Sequence, residues 1–345
     1  MKLQPFSRIK KIHRSGELLD IVFHRASHLS LDVPRRVAPV VKARKREAAR
    51  VKYISDNLAK YLVSMVKMFP NLDDIHPFYR ELADVLVGVD KLREVLASLE
   101  GSARVIRKIA REKIREIKVS NEPRDAAKAR IEAYARIASV IRKLRRRLDF
   151  LIDVSKKLSK LPTVDTDAFT IVVAGYPNTG KSSFVSAVSS AKPEIAEYPF
   201  TTRNIRTGHF SYGNFRCQII DTPGILDRPM SERNQIELQA ISAIRHIANV
   251  AIFIIDPTLT CGYPLERQLE LLKEIRETFP TLPIINVINK VDLMSSEKLE
   301  EVKKEVDNPI ETVAIQKIGV NEAIEAAIEA SKHQGELKHA KEVAL

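Results

Sequence analysis

Gly175-Tyr-Pro-Asn-Thr-Gly-Lys-Ser182 constrains this chain more than any other stretch. It has the form GxxxxGKS, in which backbone N–H groups cradle phosphates, a lysine reaches the β/γ-phosphates and a hydroxyl binds Mg²⁺. An apolar, β-branched run precedes it (Phe169–Ala174, FTIVVA), and helical spacing follows from Ser182. Strand, glycine loop and helix is the order such a loop requires, since the helix N-terminus also favours an anion. Asn178, Thr179, Gly180, Lys181, Ser182 and Ser183 are therefore the expected phosphate ligands.

About a hundred residues on, a second apolar strand, Ile284–Ile288, runs into Asn289-Lys290-Val291-Asp292. A carboxylate at Asp292 suits guanine, because it accepts from the ring N1–H and the exocyclic amine together. Adenine lacks that donor pair and would leave the carboxylate desolvated and unpaired. Asn289 and Lys290 are expected to brace this loop. Between the two motifs, Gln218–Ile220 leads into Asp221-Thr-Pro-Gly224. Asp221 is expected at the metal and the Gly224 N–H at the γ-phosphate. Upstream lies Tyr198-Pro-Phe-Thr201-Thr202-Arg203, in which Thr202 is favoured over Thr201 as the metal-binding hydroxyl. Both segments are expected to order around GTP and relax after hydrolysis. Ile225 and Leu226 follow Gly224, where many GTPases carry a glutamine that orients water. An apolar side chain cannot do so, and a low intrinsic rate follows. Val313-Ala314-Ile315 stands where a Ser-Ala pair usually meets the base, leaving the Ala314 backbone as the contact.

The N-terminal half has a different character. Residues 1–165 carry a net charge of +18 and residues 166–345 one of −5, within a total of +13. That asymmetry points to a polyanionic partner for the first half. The half reads helical: 44–68, a helix from Pro77, 102–118 and about 123–160. The expected domains are a basic bundle over 1–160 with a flexible lead over 1–40, a linker at 161–167, a nucleotide domain over 168–331 and a tail at 332–345. Arg104, Arg107, Lys108, Arg111 and Arg115 recur at spacings of three and four, and Arg145 and Arg146 extend the theme. Few aromatics interleave these cations, which suits the backbone of structured RNA better than stacked single strands or specific DNA readout. A protein or an anionic membrane is the alternative partner. Asp73 or Asp74 is expected to cap the helix after His76. No run of about 20 apolar residues exists. The two cysteines imply neither metal nor disulfide.

These residues together resemble the nucleolar GTP-binding protein family, a branch of the Obg-like GTPases. The resemblance rests on Phe69-Pro70, Leu72–Tyr79, Leu161-Pro162, the phosphate loop through Ser183 and Tyr198–Thr202. It extends through Asp221–Asp227, Glu232-Arg233-Asn234, Cys261-Gly262-Tyr263 and Asn289–Asp292. It implies a GTPase acting in assembly of the large ribosomal subunit, docked on its RNA, with GTP or GDP and Mg²⁺ as cofactors. The Asn178 loop is similar to those of potassium-activated GTPases, where this Asn ligates the ion; the other reading is that Asn178 shapes the turn. The short chain looks like a compact, archaeal-type member, expected in the cytoplasm. The expected fold is an α/β P-loop GTPase domain, three-layer α/β/α with a mostly parallel sheet, preceded by an all-α helical bundle.

Overall fold

The computed structural model describes residues 4–30, 37–196, 198–199, 204–213, 215–222 and 224–343. They form two compact units, one of the described residues within 5–75 and 87–159, the other of residue 4, residues 76–86 and the described residues from 160 onward.

The first unit is helical. In chain order the helices are α1 (Ser15–Ser27), α2 (Pro39–Met68), α3 (Pro77–Val87), α4 (Val89–Val119), α5 (Pro123–Lys143) and α6 (Arg145–Leu158), and all but α3 belong here. The lead expected to be flexible contains α1, which buries Leu18, Leu19, Val22 and Ala26 along one face. That stripe at helical spacing was legible in the sequence. Helix α4 begins thirteen residues before the expected Ser102, immediately after Gly88 (φ 74°). Gly101 costs about 1 kcal/mol of helix propensity, but Leu92, Val95, Leu99, Ala103 and Ile106 bury one continuous stripe across it. The single helix expected from Pro123 breaks at Leu144, whose N–H bonds the Ile141 carbonyl at 3.1 Å in a tightened turn. Arg145 and Arg146 therefore open α6.

Where α2 meets α5 a buried carboxylate, Glu47, is paired with three arginines. Arg46 Nε, Arg130 Nε and Arg50 Nη1 approach it at 2.8, 2.7 and 3.7 Å. A buried charge is tolerated only when paired in this way. Asp73 pairs with Arg93, and at the start of α3 the Phe78 N–H donates to His76 Nδ1 at 3.3 Å.

Helix α3, expected in the bundle, clusters with the second unit. Its Glu81 meets His246 Nε2 at 2.8 Å and Arg245 Nη2 at 3.5 Å. Its Tyr79 hydroxyl accepts from the Val164 N–H at 2.9 Å and donates to the Pro162 carbonyl at 3.0 Å. The segment expected as a linker is thus packed down, with Leu161 and Val164 buried. Burial pushes the Tyr79 hydroxyl up to about 12. Tyr79→Phe orphans a buried N–H and a carbonyl, so it is expected to cost about 1–3 kcal/mol. Chemical denaturation of the full chain checks this, and an unchanged midpoint would contradict it.

The second unit is a seven-stranded sheet in the order β2-β3-β4-β1-β5-β6-β7. Its strands are β1 (Phe169–Ala174), β2 (Glu194–Ala196), β3 (Ile205–Tyr212), β4 (Phe215–Asp221), β5 (Val250–Ile255), β6 (Ile284–Asn289) and β7 (Ile310–Thr312). The run β4-β1-β5-β6-β7 is parallel, while β2 and β3 pair antiparallel at one edge. Besides α3, its helices among the described residues are α7 (Lys181–Val188), α8 (Gln235–Ser242), α9 (Leu265–Thr278), α10 (Ser296–Glu305) and α11 (Val320–Val343). Alternate residues of the central strands, Ile171 and Val173 with Ile252 and Ile254, pack on Phe184 of α7 and Ile324 and Ala327 of α11. Their neighbours Val172, Ala251 and Phe253 are buried on the opposite face. A strand buried on both faces must read as a continuous apolar run, and β1 and β5 do. Helix α11 continues into the segment expected as a tail, as far as Val343.

Candidate nucleotide-binding site

The loops at the carboxyl ends of β1, β4, β5 and β6 meet on one side of the sheet, where ligands bind in open α/β folds. Between the loops that follow β1, β6 and β7 lies a cavity of about 480 Å³. Asn178, Gly180, Lys181, Ser182, Ser183, Asn289, Lys290, Asp292 and Ala314 all line it. Thr179 does not; it is fully buried, and its hydroxyl donates to the Tyr176 carbonyl at 2.9 Å.

The glycine loop needs left-handed backbone. Asn178 takes φ 64° and Gly180 φ 105°. Asn tolerates this region and Gly enters it freely. A Cβ on Gly180 would fall on Asn289 Nδ2, so the position has no room for a side chain. Asn289, 110 residues away in sequence, donates Nδ2 to the Thr179 carbonyl at 2.9 Å. Lys290 Nζ donates to the Asn178 carbonyl at 2.9 Å. The loop that follows β6 therefore braces the loop that follows β1. Lys181 is buried, and its Nζ donates to the Gly175 and Tyr176 carbonyls at 2.7 Å each.

At the end of β4, Asp221 is fully buried and its Oδ2 accepts from Ser182 Oγ at 2.6 Å. Its Oδ1 is buried with no hydrogen-bond partner among the described residues. Burial raises the carboxyl's pKa against the opposing pull of Ser182 and Lys181.

Two backbone donors expected to face the nucleotide are already engaged. The Gly224 N–H donates to Asp227 Oδ2 at 2.6 Å, while Arg233 Nη1 donates to the Gly224 carbonyl at 2.9 Å. A carboxylate three residues on in the same turn reaches that N–H without any ligand. The Ala314 N–H donates to Asn289 Oδ1 at 3.0 Å, and Thr312 Oγ1 donates to the same oxygen at 3.1 Å. Ala314 thus orients the side chain of Asn289, which needs an acceptor's partners on one face and a donor's on the other. Ile225 and Leu226 are buried, and the Leu226 carbonyl accepts from the Gly175 N–H at 3.0 Å. Thr201 and Thr202 lie outside the described residues.

The sequence reading missed Asp256, Thr258, Thr260 and Gln268, and it noted Arg233 and Tyr263 only through the resemblance. Asp256 was findable: it directly follows β5 at the carboxyl edge of the parallel sheet, where Asp221 ends β4 and Asn289 ends β6.

Two family models match this chain: the nucleolar GTP-binding protein 1 N-terminal helical domain over residues 6–165, and nucleolar GTP-binding protein 1 over residues 235–292. An uncharacterized protein of Methanocaldococcus jannaschii is 35% identical over 296 residues, 86% of this chain and 83% of the relative. The chain belongs to the nucleolar GTP-binding protein 1 family. The Nucleolar GTP-binding protein 1 of Eremothecium gossypii is 34% identical over 298 residues, 86% of this chain and 46% of the relative. The chain spans about half the length of the relatives that carry that name. Among solved structures, a Plasmodium falciparum chain named for nucleolar GTP-binding protein 1 aligns over 53% of this chain and 96% of its own, with 33% identity and a TM-score of 0.46. Within this family, the 6–165 match spans α3 as well as the bundle, although α3 clusters with the sheet.

The expected RNA-contacting side chains lie in the helical unit. Arg104, Arg107, Lys108, Arg111 and Arg115 are all exposed on α4. At 100° per residue they fall on one face, with Lys118 continuing the line over about 21 Å. Arg145 and Arg146 are exposed on α6. No helix among the described residues is long and apolar enough to cross a membrane.

Proposed function

We propose that this chain is a guanine-nucleotide switch that hydrolyses GTP and works in assembly of the large ribosomal subunit, docked on its RNA through α4 and the start of α6. The observation that carries the nucleotide reading is that the phosphate loop, Asn289–Asp292 and Ala314 share one cavity. Lys181 and the loop N–H groups would hold the phosphates, and Asp292 would read the guanine edge. The half-buried Ser182 hydroxyl and the buried Asp221 carboxylate, with its unpartnered Oδ1, fit a hard cation such as Mg²⁺. That ion would neutralise charge on the phosphates when bound. Hydrolysis moves the γ-phosphoryl group to water and releases GDP and phosphate, with Lys181 stabilising charge on the transferring group. Ile225, apolar and buried, offers nothing to orient the water. Intrinsic turnover is therefore expected to be slow until a partner or a cation completes the site. The left-handed Asn178 supports a turn-shaping role for that residue; GTPase rates compared in potassium and sodium buffers decide whether it also ligates potassium.

Docking to RNA is supported by the exposed cationic face of α4, whose acidic neighbours are few. Glu112 and Glu116 pair elsewhere, with Arg136 and Lys113. Reversing two cations, Arg107→Glu with Arg111→Glu, is expected to weaken binding to large-subunit RNA and to reduce the slope of log K against log salt by about 2. Filter binding across a salt series measures both. An unchanged slope would move the partner to a protein or a membrane surface.

A further inference from the structure

Three parts of the second unit converge on one buried carboxylate. Asp256, immediately after β5, is fully buried. Its Oδ1 accepts from the Thr258 N–H at 3.0 Å and the Thr258 hydroxyl at 2.5 Å. Its Oδ2 accepts from Thr260 Oγ1 at 2.9 Å and Lys290 Nζ at 2.5 Å. Its backbone is gripped as well: its N–H donates to Gln268 Oε1 at 2.9 Å, and its carbonyl accepts from Gln268 Nε2 at 2.8 Å. Burial alone would raise this carboxyl's pKa, but Lys290, Thr258 and Thr260 outweigh it and hold the group below its ordinary range.

Lys290 shows what the carboxylate does. Its backbone takes φ 64°, which a lysine rarely adopts. Its ammonium has three donors, and they go to Asp256 Oδ2, to Thr260 Oγ1 at 2.7 Å and to the Asn178 carbonyl at 2.9 Å. The same segment reaches the phosphate loop a second time. Tyr263 stacks on Tyr176 with ring centroids 4.3 Å apart, and its carbonyl accepts from Gln268 Nε2 at 2.9 Å. Residues 256–268 thus hold the phosphate loop at two points, and Cys261-Gly262-Tyr263 belongs to that grip.

We infer that Asp256 is a positioning residue for guanine nucleotide binding: it fixes the Lys290 ammonium against the Asn178 carbonyl and so holds the phosphate loop in its binding shape. The inference rests on the GTP-binding reading above. With all three donors engaged, Lys290 presents only its aliphatic stem to the cavity. Without the carboxylate, the ammonium loses its counter-charge and the left-handed turn at Asn178 loses its clamp. Asp256→Asn keeps the volume, removes the charge and turns one of the two accepting oxygens into a donor.

The test is GDP titration by calorimetry on the full chain, comparing wild type, Asp256→Asn, Lys290→Met and the double variant. Asp256→Asn is expected to weaken GDP roughly 10–100-fold, the scale of a lost charged hydrogen bond. In the Lys290→Met background the same change is expected to add less than about 3-fold, because the effect runs through Lys290. GDP affinity unchanged in Asp256→Asn, or losses that multiply in the double variant, would overturn the proposal. If Asp256→Asn fails to fold, Thr260→Val takes its place. It removes the hydroxyl bridging the carboxylate to the ammonium, and unchanged GDP affinity there overturns the proposal equally. Wild-type protein that binds no GDP would instead defeat the nucleotide reading.

Discussion

Lys181→Ala is expected to abolish measurable GTP hydrolysis and to lower GTP affinity by about 10²-fold or more, the scale seen when a preorganised charged donor is removed from a phosphate site. The side chain is buried, and its ammonium donates to the Gly175 and Tyr176 carbonyls of the phosphate loop itself. Alanine removes the charge and leaves both carbonyls without that donor. Single-turnover hydrolysis with fluorescent-nucleotide titration reads the two losses separately, and a melting curve distinguishes them from unfolding. Hydrolysis at the wild-type rate would remove Lys181 from the site.

Asp292→Asn is expected to produce the second-largest effect, a loss of about 10²–10⁴ in GTP affinity with a gain for xanthosine triphosphate. A site built on paired hydrogen bonds rejects a mismatched partner strongly, because desolvated groups are left unpaired. Asp292 lines the cavity on the short turn Val291–Leu293, directly after the left-handed Lys290. Its carboxylate presents two acceptors to guanine. An amide presents one acceptor and one donor, which suits the C2 carbonyl of xanthine instead. The loop geometry is set by Asn289 and Lys290, whose contacts the substitution does not touch. Competition of the two triphosphates against labelled GDP measures the switch. Equal preference in the variant and wild type would place base recognition elsewhere, with Ala314 the next residue to test.

The nucleotide motifs were legible because each is local. A glycine loop needs its residues adjacent in sequence, and the strand before it announces itself by continuous apolar character. The helices of the first unit were legible for the same reason, through stripes at 3.6-residue spacing, but their ends were not. Gly101 sits inside α4 because a buried stripe running past it outweighs the local cost. Leu144 ends α5 without proline or glycine to mark the place.

The engagement of the backbone donors was not legible. Whether the Gly224 N–H faces a ligand depends on Asp227, and whether the Ala314 N–H does so depends on Asn289. Helix α3 lies in sequence among bundle helices and is held with the sheet by Tyr79 and Glu81. The sequence by itself determined the phosphate loop, the guanine-reading carboxylate, the parallel sheet and the basic helical half, since these are properties of short stretches and of composition. Only the tertiary structure decided which polar groups find partners across 30 to 110 residues of chain, as Lys290 finds Asp256 and Asn289 finds Thr179. A buried polar group must be satisfied by whatever the fold brings within about 3 Å, and that proximity is written in no local pattern.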